Sequence, residues 1–158
     1  MGRGLALSLA GTGSGLLYVL SLPKADLWWL AWVCLVPALA TLPALSRSRW
    51  HLLSAGLALG LISAAGRTYW ITETLQNYGG LPVTLALLTN GLLIVYMALY
   101  PAVFLIISAR VLARNSALFP LSCASLFVLL EWIQTWALTG FPWELLGYSQ
   151  YLNRPLLQ

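Results

Sequence analysis

Five long apolar runs divide the chain, covering Gly4–Leu22, Leu27–Leu45, Trp50–Gly66, Pro82–Ala109 and Ala117–Thr139. Each comes close to the ~20 residues that carry a helix across a hydrocarbon core. The stretches LPKAD, SRSR, TYWITETLQNYGGL and RVLARN separate them. A backbone in lipid must satisfy its own polar groups, so the pattern predicts an all-α bundle of about five transmembrane helices, with residues 1–158 as one membrane domain. The fourth run is too long for a simple span: its helix would reach about 42 Å against a core of ~30 Å. Asn90-Gly91 and Pro101 are places to bend, and Pro82 allows a re-entrant start. Pro37 is expected to kink the second helix and leave the Val33 carbonyl free.

Composition agrees with the pattern. The chain is 60% hydrophobic and 8% charged, against roughly 25% charged in soluble proteins. The net charge of +4 comes from Arg residues in short loops, which points to membrane orientation and not to nucleic acid. Arg3, Arg47, Arg49, Arg110 and Arg114 fall on one face of a five-span alternation, and Lys24, Arg67 and Arg154 on the other. That bias predicts a cytoplasmic N-terminus and an outward C-terminus. It also puts two polar-aromatic loops, Thr68–Leu81 and Gly140–Gln158, together on the outer face. The first run is long for a signal peptide and has no small-residue cleavage site before Lys24, so it reads as a retained helix.

Gly11–Gly15 and Gly56–Gly60 are G-x-x-x-G pairs, the second continued by Ala64. They predict close helix contacts within the chain. Glu131 lies deep in the fifth run, where a carboxylate costs around 2.5–3.5 kcal/mol and must face the bundle interior or a wet cavity. Gln134 and Thr135 share its face. Two readings compete for Glu131: a protonated carboxyl that ties helices together, or part of a site. Arg67 is expected to snorkel to the head groups or to pair with Glu73. The tryptophans near helix ends, among them Trp28, Trp29, Trp32, Trp50, Trp136 and Trp143, form an aromatic belt. Cys34 and Cys123 lie inside apolar runs, where a thiolate is disfavoured. With one His and one Asp on opposite faces, no nucleophilic set assembles, and no metal site or cofactor is expected.

Four blocks then occur in order: LSLPKADLWWLAWVCLVPAL, YWITETLQNYGGLP, YMALYPAVF and LLEWIQTWALTGFPWELLGYSQ. Together they resemble the membrane part of bacterial apolipoprotein N-acyltransferase. The resemblance implies a multi-pass protein of the bacterial inner membrane, with phospholipid and apolipoprotein as partners. The reaction it implies moves an acyl chain from phospholipid to the N-terminal cysteine of the apolipoprotein. In that family a nitrilase-like domain carries the Glu-Lys-Cys triad, and no position here matches the triad motifs, so the catalytic set is none. The chain alone then reads as an inactive, truncated form. Alternatives are a stand-alone binding module that partners a separate catalytic chain, or a small transporter. One departure stands out: the family's Arg three residues after the Glu of the EW motif is Gln134 here, which favours a neutral Glu131.

Under this resemblance the segment GFPWELLGYSQ lies at the outer interface near the entry of lipid substrates. Phe141, Trp143 and Tyr148 supply apolar bodies at head-group height, and Gly140 and Gly147 permit turns. Glu144 and Gln150 either orient a polar head or hold the segment to the Asn77–Pro82 loop. Glu131, Trp70, Gly79 and Gly80 complete the expected substrate and interface set. The competing reading is that the segment only shapes the rim and docks the soluble domain.

Overall fold

The computed structural model describes residues 3–45, 48–114 and 117–157, and every regular element among them is helical. Arg47, which entered the orientation argument, lies outside the described residues. The chain forms α1 (Arg3–Ser21), α2 (Val36–Ala40), α3 (Leu42–Leu45), α4 (Arg49–Asn77), α5 (Val83–Arg114), α6 (Phe119–Gln134) and α7 (Arg154–Leu157). Short 3-10 segments occupy Trp28–Trp32, Ala137–Thr139 and Leu146–Gln150. One helix, over Val83–Leu112, is long and apolar enough by itself to cross a membrane; Leu5–Ser21 and Phe119–Gln134 are shorter apolar helices.

α4 is the centre of the fold, packed on one side by α1 and on the other by α5. Glycine makes both contacts possible. A Cβ on Gly11 would run into the Ala55 carbonyl, and one on Gly15 would sit 2.8 Å from the Leu59 oxygen. On the opposite side, Gly56 meets the Ala102 backbone and a Cβ on Gly60 would stand 2.5 Å from the Ala98 Cα. Both G-x-x-x-G pairs are thus spent inside the chain, as expected. Leu7, Leu52, Leu59, Phe104 and Leu105 fill the space between the helices. α6 leans on α5 through the edge-to-face pair Phe104–Phe127, centroids 5.3 Å apart.

Several expected boundaries move. The second run is not one kinked helix: it breaks into a 3-10 turn and two short helices. Pro37 and Pro43 are the cause, because each takes a first-turn position where its missing N–H is no loss. The Val33 carbonyl is not free, since it accepts the Val36 N–H at 3.0 Å. Ser14 Oγ of α1 accepts the Ala38 N–H at 3.0 Å, so a neighbouring helix satisfies an amide at the start of α2.

The expected outer loop Thr68–Leu81 is helical as far as Asn77. Its polar residues have no turn former until Tyr78-Gly79-Gly80, where Gly80 takes φ +64° and the chain reverses. α5 begins at Val83 and runs unbroken through Pro101, with no re-entrant start. α6 ends five residues short of Thr139, at Gln134.

Candidate functional site

The early end of α6 creates the site. Thr135 and Trp136 donate back three residues, to Trp132 and Ile133, and tighten the last turn. The chain then loops out and returns: the Phe141 N–H donates to the Gln134 carbonyl at 3.0 Å, and Gln134 Nε2 donates to the Phe141 carbonyl at 3.2 Å. Gly140 closes the loop at φ +73°, where any Cβ would strike the Thr135 carbonyl. Leu138 sits at φ 50°, ψ 50° and is 82% exposed. Tyr96 Oη secures the loop by donating to the Ala137 carbonyl at 2.9 Å, and its hydroxyl lies 2.6 Å from that of Tyr100.

From Phe141 the segment crosses the end of the bundle where α1 and α6 finish. Glu131 Oε1 accepts two hydrogen bonds there, from the Tyr18 hydroxyl and the Leu146 N–H, each at 2.9 Å. Glu131 thereby caps the 3-10 turn Leu146–Gln150 from outside it. Through these two bonds it ties α1 to the returning segment.

Arg67 lies beside this pair and does not snorkel. It is 4% exposed, with Nε donating to the Ser63 carbonyl at 3.2 Å and Nη1 3.4 Å from both the Tyr18 hydroxyl and the Glu144 carbonyl. Its guanidinium stands 4.9 Å from the Tyr18 ring centroid, within cation–π range. Pairing with Glu73 is ruled out by helical geometry: six residues apart on α4, the two side chains leave on different faces. A small cavity between Tyr18, Ser63, Arg67, Tyr100, Glu131 and Gln134 has room for about one water molecule.

Two surface clefts flank the buried group. On one side Trp32, Val128, Leu146, Gly147 and Gln150 line an open groove together with Glu131. On the other, Lys24, Tyr69, Trp70 and Glu144 face a crevice. Lys24 Nζ donates to the Tyr69 hydroxyl at 2.7 Å and lies 4.0 Å from that ring's centroid. Glu144 holds φ 46°. Partial burial raises its carboxyl above the ordinary value, while Arg67 and Lys24 pull the other way.

The expected site residues are therefore only partly gathered. Trp143 packs tilted against Trp70, centroids 4.9 Å apart, on the Glu144 side, while Glu131, Gly147 and Gln150 line the other cleft. Phe141 lines a separate cleft with Leu92, Tyr96 and Leu138. Tyr148 is exposed and lines none of these clefts. Gln150 does not reach the Asn77–Pro82 turn; its Nε2 donates to the Trp28 carbonyl at 3.1 Å. Gly79 and Gly80 lie about two turns beyond Trp70 at the far end of α4. Gly147 has no positive φ and no crowding at its Cα, so glycine is not required there. Tyr18 was absent from the expected set, and Arg67 was assigned to the rim; a lone Arg after the small-residue stretch SAAG was the available signal. Cys34 and Cys123 are both buried and free.

A family model described as the apolipoprotein N-acyltransferase N-terminal domain matches residues 14–158. The chain belongs to that family. Three curated relatives carry the name apolipoprotein N-acyltransferase. The one from Geobacter metallireducens is 37% identical over 145 residues, 92% of this chain and 27% of the relative. That from Vibrio vulnificus is 33% identical over 149 residues, 94% of this chain and 29% of the relative. That from Chromobacterium violaceum is 32% identical over 154 residues, 98% and 29%. The chain thus spans under a third of the length of these relatives, at their N-terminal domain. Every residue of the buried group, from Tyr18 to Leu146, falls within the matched part of this apolipoprotein N-acyltransferase domain.

Proposed function

We propose that this chain is the lipid-embedded N-terminal part of an enzyme of the bacterial inner membrane. The enzyme carries an acyl chain from phospholipid to the N-terminal cysteine of apolipoproteins. Residues 1–158 form one membrane domain of five spans: α1, the broken stretch 28–45, α4, α5 and α6. A broken span is tolerable where protein covers its backbone, and the Ser14–Ala38 bond supports that reading of 28–45. The N-terminus faces the cytoplasm and the 140–157 segment faces outward. Burial of Arg67 inside the bundle supports this orientation, because it takes one cation off the outer tally and leaves Lys24 and Arg154 there.

In this reading the acyl-transfer chemistry belongs to a nitrilase-like domain, in cis or in trans. The present residues supply the outer platform on which lipid and lipoprotein meet it. Both cysteines are buried among apolar side chains, where neither acts as an acyl carrier. Trp70 and Glu144 line one, and Gln150 the other, of the two clefts through which a phospholipid approaches from the bilayer. The observation that carries the proposal is the family match over 14–158 together with a returning segment held across the end of the bundle.

The test is a complementation assay in cells depleted of their own acyltransferase. The chain alone should fail. Joined to the remaining length of the Geobacter metallireducens relative, it should restore growth; growth with that remainder as a separate polypeptide would assign this chain to an assembly module. In the joined protein, Trp143→Ala and Tyr148→Ala should lower acyl transfer with the thermal midpoint unchanged if they contact lipid. Loss of both transfer and stability would make them structural. A thioester formed on the isolated chain would overturn the proposal.

A further inference from the structure

Charge at the centre of an apolar bundle has to be compensated nearby, and the segment lying over α1 and α6 touches both members of a compensated set. Arg67 is a buried cation whose donors, among the described residues, reach neutral oxygens: the Ser63 carbonyl, the Tyr18 hydroxyl and the Glu144 carbonyl. Glu131 is a buried carboxyl whose Oε1 accepts the Tyr18 hydroxyl and the Leu146 N–H. Among the described residues it is the Tyr18 hydroxyl that touches both, donating to Glu131 at 2.9 Å and accepting from Arg67 at 3.4 Å. Tyr18 is itself buried, so no bulk water performs this role in its place.

The same two side chains hold the returning backbone at two points of opposite polarity. Arg67 meets a carbonyl, that of Glu144, and Glu131 meets an N–H, that of Leu146. Only Leu145 lies between them. The residue so held is one of the few non-glycine residues with positive φ, Glu144 at 46°, a conformation that persists only where its surroundings over-determine it. Immediately before it, Trp143 packs against Trp70, and the Trp70 indole N–H donates to the Arg67 carbonyl at 3.0 Å.

We propose that Arg67, Tyr18 and Glu131 are positioning residues: a buried cation and carboxylate joined through one phenol, which clamp Glu144 and Leu146 and so fix the returning segment over the bundle. Arg67 is then the counter-charge of an ionised Glu131 without direct contact, in place of the neutral Glu131 expected from Gln134. The consequence of the clamp for acyl transfer rests on the function proposed above; the clamp itself does not.

Hydrogen exchange on the full chain in lipid nanodiscs tests it, read on the peptide 141–150 with a peptide from the α4–α5 contact around Gly60 as the internal control. Tyr18→Phe keeps the ring over Arg67 and removes one oxygen. It should raise exchange in 141–150 at least tenfold and leave the control unchanged. Arg67→Met should do the same and also lower the thermal midpoint, because Glu131 is left uncompensated. Adding Glu131→Gln to Arg67→Met removes the stranded charge while the amide oxygen can still accept the Leu146 N–H. The double variant should therefore recover most of the midpoint lost by Arg67→Met alone. Additive effects in the double variant, or unchanged exchange in Tyr18→Phe, would overturn the clamp. Tyr18→Phe in the joined, complementing protein separates the two proposals. A fall in transfer rate at unchanged protein level supports both. Faster exchange with an unchanged transfer rate keeps the clamp and removes the segment from the reaction.

Discussion

At the scale of single residues, the site depends on backbone conformations that few side chains tolerate. Gly140 combines φ +73° with no room for a Cβ, which would strike the Thr135 carbonyl, so Gly140→Ala should cost about 1–3 kcal/mol. Chemical denaturation in mild detergent would check this, with Gly147→Ala as the near-neutral control. Glu144 makes a prediction in pH. Burial raises its carboxyl above the ordinary 4.5, so the neutral form is favoured in the folded segment. Its contribution to stability is then fully present below the ordinary value and is lost as pH rises through the raised folded value. The thermal midpoint should fall over that window, and Glu144→Gln should flatten the fall; an identical pH profile in the variant would contradict it. Glu131 and the two glycine pairs were legible at this scale. Tyr18 was not, because a tyrosine inside an apolar run has no pattern that sets it apart from the belt aromatics.

Among the elements, α4 is the one that organises the rest, and it does so through missing side chains. Gly56 and Gly60 let α5 approach on one face, while α1 brings Gly11 and Gly15 to the other. Gly60→Leu should separate α4 from α5 and lower the unfolding midpoint sharply, whereas Gly13→Ala, with open space around it, should be neutral or stabilising by about 0.5–1 kcal/mol through helix propensity. If Gly60→Leu proves as stable as the parent, the close-packed interface described for α4 and α5 is wrong. Helix ends were the weakest part of the sequence reading, and the reasons differ. Thr68–Asn77 looked like a loop because it is polar, yet it contains no Gly or Pro and keeps hydrogen-bonding as a helix until Gly79-Gly80. The 28–45 stretch looked like one kinked helix because it is apolar, yet Pro37 and Pro43 each restart it. α6 stops at Gln134 for a reason outside its own sequence: Gln134 and Tyr96 bond the loop that follows.

For the whole molecule, the exposed side chains continue the apolar pattern outward. Leu85, Leu88, Leu92, Val95 and Leu99 form an exposed stripe along α5, and Leu121, Val128, Leu129 and Trp132 one along α6, surfaces suited to lipid and not to water. Reporter fusions after Leu152 should score as external and fusions at Ser48 as cytoplasmic; the reverse assignment would undo the proposed orientation. The resemblance seen in LLEWIQTWALTGFPWELLGYSQ and its upstream blocks was sufficient to name the family, because those blocks are continuous in sequence and need no fold to be read.

Apolar runs, proline and glycine positions and the order of motifs determined, on sequence alone, that the chain is helical, that its helices pack closely and which family it belongs to. These properties depend on local spacing, which a sequence carries directly. The tertiary structure alone decided where the charges go. Arg67 and Glu131 are 64 residues apart, and only the packing of α1, α4 and α6 around Tyr18 brings them to the same hydroxyl. Compensation of charge in an apolar interior is a matter of distance through space, and no periodicity along the chain encodes it.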